Sequence, residues 1–124
     1  MIWVWIALAG GIGAAARFVV DVLAASHLTR RTASALPLGS LLVNLSGSFL
    51  AGLVAGVATR GLLAPELGTV LGGGFLGGYT TFSNAMYEAV WLLDRGQRVT
   101  AAIHVLLTLV TSVPAAGLGL WLAS

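Results

Sequence analysis

A glycine-rich stretch inside a long apolar segment is the feature that most constrains this chain. The segment spans about residues 67–93 and otherwise suits a membrane helix, but five of the seven residues from Gly72 to Gly78 are glycine. Each glycine costs about 1 kcal/mol relative to alanine in a helix interior, so a regular helix gives up roughly 5 kcal/mol here. Thr80 and Thr81 follow, and threonine hydroxyls favour a cap over a helix interior. The pattern predicts a helix that breaks near Gly77–Thr81 and restarts on a threonine N-cap.

Such a break has chemical consequences in a membrane. Irregular backbone in lipid is stable only where it is buried in protein or lines a polar cavity. The freed carbonyls can then bind a cation, and the new helix N-terminus can face an anion. The alternative is that the glycines serve only close packing between helices. Five glycines followed by Thr-Thr-Phe-Ser favour the break.

The composition places the whole chain in a membrane. Hydrophobic residues make up 58% of the 124 residues and charged residues only 8%, whereas soluble domains carry about 25% charged residues. There is no cysteine, which excludes disulfides, thiolate metal sites and cysteine nucleophiles. The net charge of +2 rests on few groups and predicts no nucleic-acid partner. We therefore predict an all-α integral membrane protein that crosses the lipid bilayer of the cell membrane several times.

Four spans account for the apolar segments. The chain is predicted to be a single unit, residues 1–124, with transmembrane helices at about 2–28, 38–58, 67–93 and 99–122. The third of these helices is the one that is broken near its middle.

Polar and small residues recur every fourth position on the second and fourth spans, which places each set on one helix face. The second span carries Ser40, Asn44, Ser48, Gly52 and Gly56, and the fourth carries His104, Thr108 and Ser112. The glycines suit a tight helix crossing. A buried Asn44 amide must bond either another helix or a ligand, and both interpretations stay open. These rows offer hydroxyl, amide and backbone groups. They contain no carboxylate pair, histidine cluster or nucleophile–base pair. The pattern therefore predicts a pathway for a neutral or anionic solute rather than an enzyme.

Arg17 and Asp21 lie four residues apart near the far end of the first span. We expect them to form a self-neutralising pair that anchors the helix end, in preference to a pore role for Arg17. A proton-coupled exporter of cationic drugs is the alternative from another functional class. Such an exporter needs an isolated carboxylate deep in the first helix, whereas Asp21 lies near its end and has Arg17 beside it.

Three sequence blocks resemble one family. They are GGIGAAARF at 10–18, PLGSLLVNLSGSFLAG at 37–52 and GFLGGYTTFS at 74–83, and they are similar to the Fluc (CrcB-like) fluoride channels. The resemblance implies an antiparallel dimer of chains in dual topology, with two fluoride pores and one central structural sodium ion. It also implies passive export of fluoride that accumulates when neutral HF enters the cell, which reduces fluoride toxicity.

The resemblance also assigns site residues. It implies that the backbone carbonyls of Gly77 and Thr80 hold the sodium ion. For the fluoride pore it implies Asn44 on the second span, Phe82 as the first ring of an aromatic pair, Ser83, and Ser112 on the fourth span. Thr108, in the same row as Ser112, is a further candidate for the pore, although the family commonly has other polar residues at the positions of His104 and Thr108. Fluoride is small and strongly hydrated, so a pore must replace lost water with donors. Amide N–H and hydroxyl groups can donate, and the positive edge of an aromatic ring can also face an anion.

One departure from the family pattern bears on assembly. The family motif continues TTFSTF, whereas this chain has Asn84 and Ala85 after Ser83 and so lacks the second ring. A homodimer would then have two incomplete pores. The chain could also be a non-conducting subunit that pairs with a different chain.

The arginines favour two different chains. The first loop (about 29–36) and the third loop (94–98) hold Arg30, Arg31, Arg95 and Arg98, while the side with both termini holds only Arg60. This bias predicts one fixed orientation with both termini outside the cell. A dual-topology homodimer needs almost no bias. We therefore predict a heterodimer with a paralogous chain that brings the missing ring, and the homodimer remains the alternative.

Overall fold

The computed structural model describes residues 1–29 and 36–124, and every regular element in these ranges is helical. Helix α1 is Ile2–Ala24 and continues as a π-helical turn, Ala25–Thr29, and helix α2 is Leu38–Thr59. Helix α3 has three parts, which are Pro65–Thr69, the π-helical stretch Val70–Leu76, and Gly77–Tyr79. Helix α4 is Phe82–Asp94, and helix α5 is Arg98–Ala123. These helix ends lie within two residues of the predicted ends. Arg30 and Arg31, which carry part of the predicted arginine bias, lie outside the described residues.

Three helices are long and apolar enough to cross a membrane. They are Ile2–Leu28, Leu38–Thr59 and Arg98–Ala123. Helices α3 and α4 are each shorter and follow one another with two residues between them. The prediction of an all-helical protein with the character of a multi-pass membrane protein is confirmed.

Helices α2 and α5 cross at glycines on both partners. A Cβ atom added to Gly52 would lie 2.0 Å from the Ala116 carbonyl oxygen, and one added to Gly119 would lie 2.2 Å from that of Phe49. Neither position can hold a larger side chain unless the two backbones separate. The tight crossing predicted from the small end of the α2 row is therefore confirmed.

Helix α1 packs on α3 in the same way. A Cβ atom on Gly13 would lie 2.0 Å from the Phe75 carbonyl oxygen, and one on Gly78 would lie 2.1 Å from that of Gly10. The glycine tract therefore allows two backbones to make contact. Close packing between helices is the alternative to a helix break that the glycine content also predicts. Gly77 and Gly78 themselves remain helical.

The helical backbone stops after Tyr79 and resumes at Phe82. Thr80 and Thr81 are extended, with ψ values of 151° and 111°. The Thr81 hydroxyl oxygen accepts a hydrogen bond from the Asn84 N–H at 3.2 Å, so the second of the two threonines caps α4. The interruption thus falls on the threonines, two residues beyond the last glycine.

Candidate functional site

Asn44 holds the extended residues in place from the middle of α2. Its Nδ2 donates to the Thr81 carbonyl at 3.1 Å, and its Oδ1 accepts from the Thr81 N–H at 3.0 Å. The Asn44 Oδ1 therefore replaces the backbone acceptor that a continuing helix would give the Thr81 N–H, and its Nδ2 adds a second donor to the carbonyl of this N-cap residue. A primary amide has two N–H donors, so one N–H of Asn44 is left over after this contact.

A cavity of about 200 Å³ lies beside Asn44, between α2, α5 and the break. It is lined by Asn44, Ser48, Thr80, Phe82, Thr108, Leu109, Ser112 and Val113. The structure thus brings together four of the five residues expected in the pore: Asn44, Phe82, Thr108 and Ser112. The Phe82 side chain is 65% exposed and forms an outer wall. We call this space the Asn44 cavity.

The hydroxyls in the Asn44 cavity differ in what they can still donate. Thr108 Oγ1 donates to the His104 carbonyl at 2.8 Å, so its only proton is already used. Ser112 Oγ is buried and has no hydrogen-bond partner within the described residues. A buried polar group without a partner costs free energy, so Ser112 is the donor in this cavity that needs a ligand.

Ser83, the fifth expected pore residue, lies elsewhere. It lines a second cavity of about 500 Å³ together with Arg17, Phe18, Asp21, Thr81, Asn84 and Tyr87. Its hydroxyl lies 3.2 Å from that of Thr81. We call this space the Arg17 cavity. Thr81 borders it and bonds to Asn44, so the two cavities are separated by the extended residues.

The predicted ion pair between Arg17 and Asp21 does not form. Within the described residues, no carboxylate oxygen lies within 4.0 Å of the Arg17 guanidinium. The Asp21 carboxylate instead lies against the α2 backbone, where a Cβ atom added to Gly39 would be 1.9 Å from Asp21 Oδ1. The absence of a side chain at Gly39 lets the carboxylate turn toward α2. Arg17 lines the Arg17 cavity, and its guanidinium makes no hydrogen bond with the part of the chain that the structure describes.

A polar cluster on three helices, in which Ser40 and His104 are buried and Glu88 is 20% exposed, was not predicted from the sequence. Glu88 on α4 accepts hydrogen bonds from the Ser40 hydroxyl and, at 3.3 Å, from Asn84 Nδ2. Its Oε2 also lies 3.2 Å from Nε2 of His104, which is 0% exposed. We call these residues the Glu88 cluster. The signal was present in the helical spacing, since Ser40 and His104 each begin a polar row and Asn84 and Glu88 are four apart.

Comparison with known proteins decides the family. Residues 4–120 match the family described as "CrcB-like protein, Camphor Resistance (CrcB)". The chain belongs to the CrcB-like family. It is 45% identical over 117 residues to "Fluoride-specific ion channel FluC 1" of Leifsonia xyli subsp. xyli, covering 94% of this chain and 82% of that protein. It is 40% identical over 122 residues to "Fluoride-specific ion channel FluC 2" of Mycobacterium bovis, covering 98% of this chain and 90% of that protein.

The backbone at the interruption of this CrcB-like chain leaves a carbonyl free. The Thr81 N–H donates to Asn44, so the Gly77 carbonyl does not receive the bond that a helix would supply from Thr81. Gly77 also lies on the exposed side of α3. Carbonyl oxygens that have left a helix are suitable ligands for a hard cation. The Gly77 carbonyl, one of the two that were expected at a sodium site, therefore fits that chemistry.

Ala85 of this CrcB-like chain is 0% exposed and forms part of its own core. Phe82, three residues earlier, is 65% exposed. The two positions therefore differ in environment within one subunit. A side chain at position 82 can reach a neighbouring molecule, whereas the space around position 85 is occupied by this chain.

Proposed function

We propose that this chain is a subunit of a fluoride-selective ion channel that lets fluoride leave the cell passively and so reduces its toxicity. The observation that carries the proposal is the Asn44 cavity, where the buried Ser112 hydroxyl has no partner within the described residues. Membership of the CrcB-like family supports it, as do the printed names of the relatives, which are fluoride-specific ion channels.

The donors of the Asn44 cavity suit a small anion. The remaining Asn44 N–H and the Ser112 hydroxyl can replace part of the water that fluoride loses. The Phe82 ring lines the same cavity and can present its positive edge. Ser83 and the Arg17 guanidinium would attract the anion from the Arg17 cavity. Thr108 would form part of the cavity wall without donating to the anion, because its hydroxyl proton bonds the His104 carbonyl.

Assembly follows from the exposed parts of this site. We propose that α3 and α4 together make the third span, broken at Thr80 and Thr81, and that two chains associate antiparallel in the cell membrane. Phe82 is exposed in one chain, so a second chain is needed to close the Asn44 cavity. The Gly77 and Thr80 carbonyls, together with the two corresponding carbonyls of the second chain, would supply four oxygens for one structural sodium ion at the axis between the chains.

The second chain is proposed to be a paralogue. Arg95 and Arg98 lie at one end of the helices and Arg60 at the other, and the arginines of the first loop add to the same bias. A chain of fixed orientation needs an oppositely oriented partner to build an antiparallel pair. Relatives numbered 1, 2 and 3 in their printed names are consistent with several such chains in one organism. The homodimer is the alternative.

The test compares two neighbouring hydroxyls on α5. Ser112→Ala removes the unpartnered donor, whereas Thr111→Ala removes a hydroxyl that bonds the Leu107 carbonyl at 2.6 Å and lies outside the cavity lining. A hydrogen bond to a charged group contributes about 1.5–3 kcal/mol, so we expect Ser112→Ala to lower fluoride efflux from liposomes roughly tenfold or more. Thr111→Ala should retain nearly all of it. Equal efflux in both variants, with both proteins assembled, would contradict the proposal.

A further inference from the structure

A third cavity, an open groove between α4 and α5, shares no lining residue with the two cavities of the proposed pathway. Its volume is about 490 Å³, and its lining is apolar except at one end, where Arg98 lies. The apolar lining consists of Ala89 and Leu93 of α4 and of Ala101, Ala102, Val105 and Leu106 of α5. We call this space the α4–α5 groove.

Small side chains produce the groove. Ala89 is 7% exposed and Ala101 is 3% exposed, so these two alanines form its floor where α4 and α5 pack together. A methyl group fills little of the space between two helices, and a channel open to the outside remains above the floor. Within a membrane the surroundings are hydrocarbon with almost no water. An acyl chain is therefore the occupant whose chemistry matches the apolar lining.

The length of the groove corresponds to one leaflet of a bilayer. Leu106 lies eight residues after Arg98 on α5, which is about 12 Å along the helix axis. One leaflet contributes half of a hydrocarbon core that is about 30 Å thick. Helix α5 begins at Arg98, so the arginine end of the groove lies near the membrane surface, where a guanidinium can reach the lipid headgroups.

The charge of Arg98 has no partner in the chain. Its side chain is exposed. All four carboxylate residues lie among the described residues, and none has an oxygen within 4.0 Å of the Arg98 guanidinium: Asp21, Glu66, Glu88 and Asp94. The planar guanidinium matches the oxygens of a phosphate, to which it can donate two hydrogen bonds. The arginine bias predicts that this end of α5 faces the cytoplasm, and the cytoplasmic leaflet carries anionic lipids.

We propose that the α4–α5 groove binds an anionic phospholipid, with one acyl chain along the alanine floor and the phosphate at Arg98. The acyl chain covers apolar surface, and the headgroup balances the arginine charge. A zwitterionic lipid offers the same acyl chain, but the cation in its headgroup offsets the charge of its phosphate. Leu106 precedes Thr108 of the Asn44 cavity by two residues, so the bound chain lies within one turn of α5 from the proposed pathway.

The experiment titrates the assembled protein in detergent with phosphatidylglycerol or with phosphatidylcholine of the same acyl chains, and native mass spectrometry measures the lipid bound. We expect phosphatidylglycerol to bind roughly tenfold more tightly, and Arg98→Gln to remove this preference. Arg95→Gln is the matched control, because it removes the same charge from the same loop. The Arg95 guanidinium lies 3.9 Å from the centre of the Trp91 ring, and neither residue lines the groove. The preference should therefore persist in Arg95→Gln.

A second pair of variants tests the position of the acyl chain. Ala102→Phe fills the groove and keeps Arg98, so the binding of both lipids should fall. Ile103→Phe changes the next residue, which is exposed but lies outside the lining, and should bind lipid as the unmodified protein does.

Three results would overturn the inference. They are equal affinity of the unmodified protein for the two lipids, equal loss of preference in Arg95→Gln and Arg98→Gln, and release of a second chain by Ala102→Phe with lipid binding unchanged. The last result would assign the groove to the second chain. Lipid binding is measured without reference to transport, so failure of the proposed channel function would leave the outcome intact.

Discussion

At Asn44, one amide side chain takes over a backbone hydrogen bond of an interrupted helix and adds a second bond to the same residue. The contact with Thr81 at 3.0 and 3.1 Å fixes the extended residues without leaving their buried N–H and carbonyl groups unpaired. A donor or acceptor left unsatisfied in a protein interior costs about 1–3 kcal/mol. This residue is therefore part of the architecture of the break as well as of the cavity next to it.

We expect Asn44→Ala to lower the unfolding free energy in detergent by roughly 1–3 kcal/mol, because it leaves the buried Thr81 N–H without a partner. Ser48→Ala is the control. Ser48 lies one turn further along α2 and lines the same cavity, but its hydroxyl makes no hydrogen bond within the described residues. If both variants unfold alike in a denaturant titration, the Asn44 contact does not stabilise the break.

Residue identities were predicted more completely than residue chemistry. Four residues that were expected to share a site do line one cavity: Asn44, Phe82, Thr108 and Ser112. That Ser112 keeps a free hydroxyl while Thr108 does not depends on rotamers, which residue spacing does not specify. The Glu88 cluster was missed for a related reason. Its members lie on three helices. The glycine crossings determine which faces of these helices meet, and the residue spacing within one helix does not show this.

At the scale of the element, the glycine tract of α3 has two faces. Gly74 and Gly78 touch α1, where added Cβ atoms would lie 2.9 Å from the Ile6 carbonyl oxygen and 2.1 Å from that of Gly10. Gly72 and Gly73 meet nothing within 4 Å. Composition alone predicted that a regular helix would be weak here. It did not separate glycines that allow backbone contact from glycines that face outward.

We expect Gly78→Ala to destabilise the chain by about 1–3 kcal/mol or more, because the methyl group would overlap α1 backbone that cannot move aside freely. Gly77→Ala is the adjacent control, since its Cβ would lie 3.8 Å from the Gly72 carbonyl oxygen, an ordinary contact. Unfolding of the two variants in a mixed-detergent titration makes the comparison. Equal loss of stability would mean that the tract destabilises α3 uniformly and does not serve the α1 contact.

At the scale of the whole molecule, one chain holds an incomplete site. Phe82 and Gly77 are exposed, whereas Ala85 is enclosed. The all-helical architecture and the apolar character of its long helices could be predicted because hydropathy depends on local sequence. The identity of the second chain could not, because the surface that it covers is determined by residues of both partners.

The most direct measurement is anion efflux from liposomes containing the tagged chain, purified from the cells that naturally make it so that any partner chain is carried along. We predict fast efflux of fluoride, retention of chloride, and a large loss of fluoride efflux in Phe82→Ile, which keeps the bulk but removes the ring edge. Mass spectrometry of the same sample should detect a second, paralogous chain. Assembled protein that releases fluoride no faster than protein-free liposomes, or releases chloride equally well, would contradict the account.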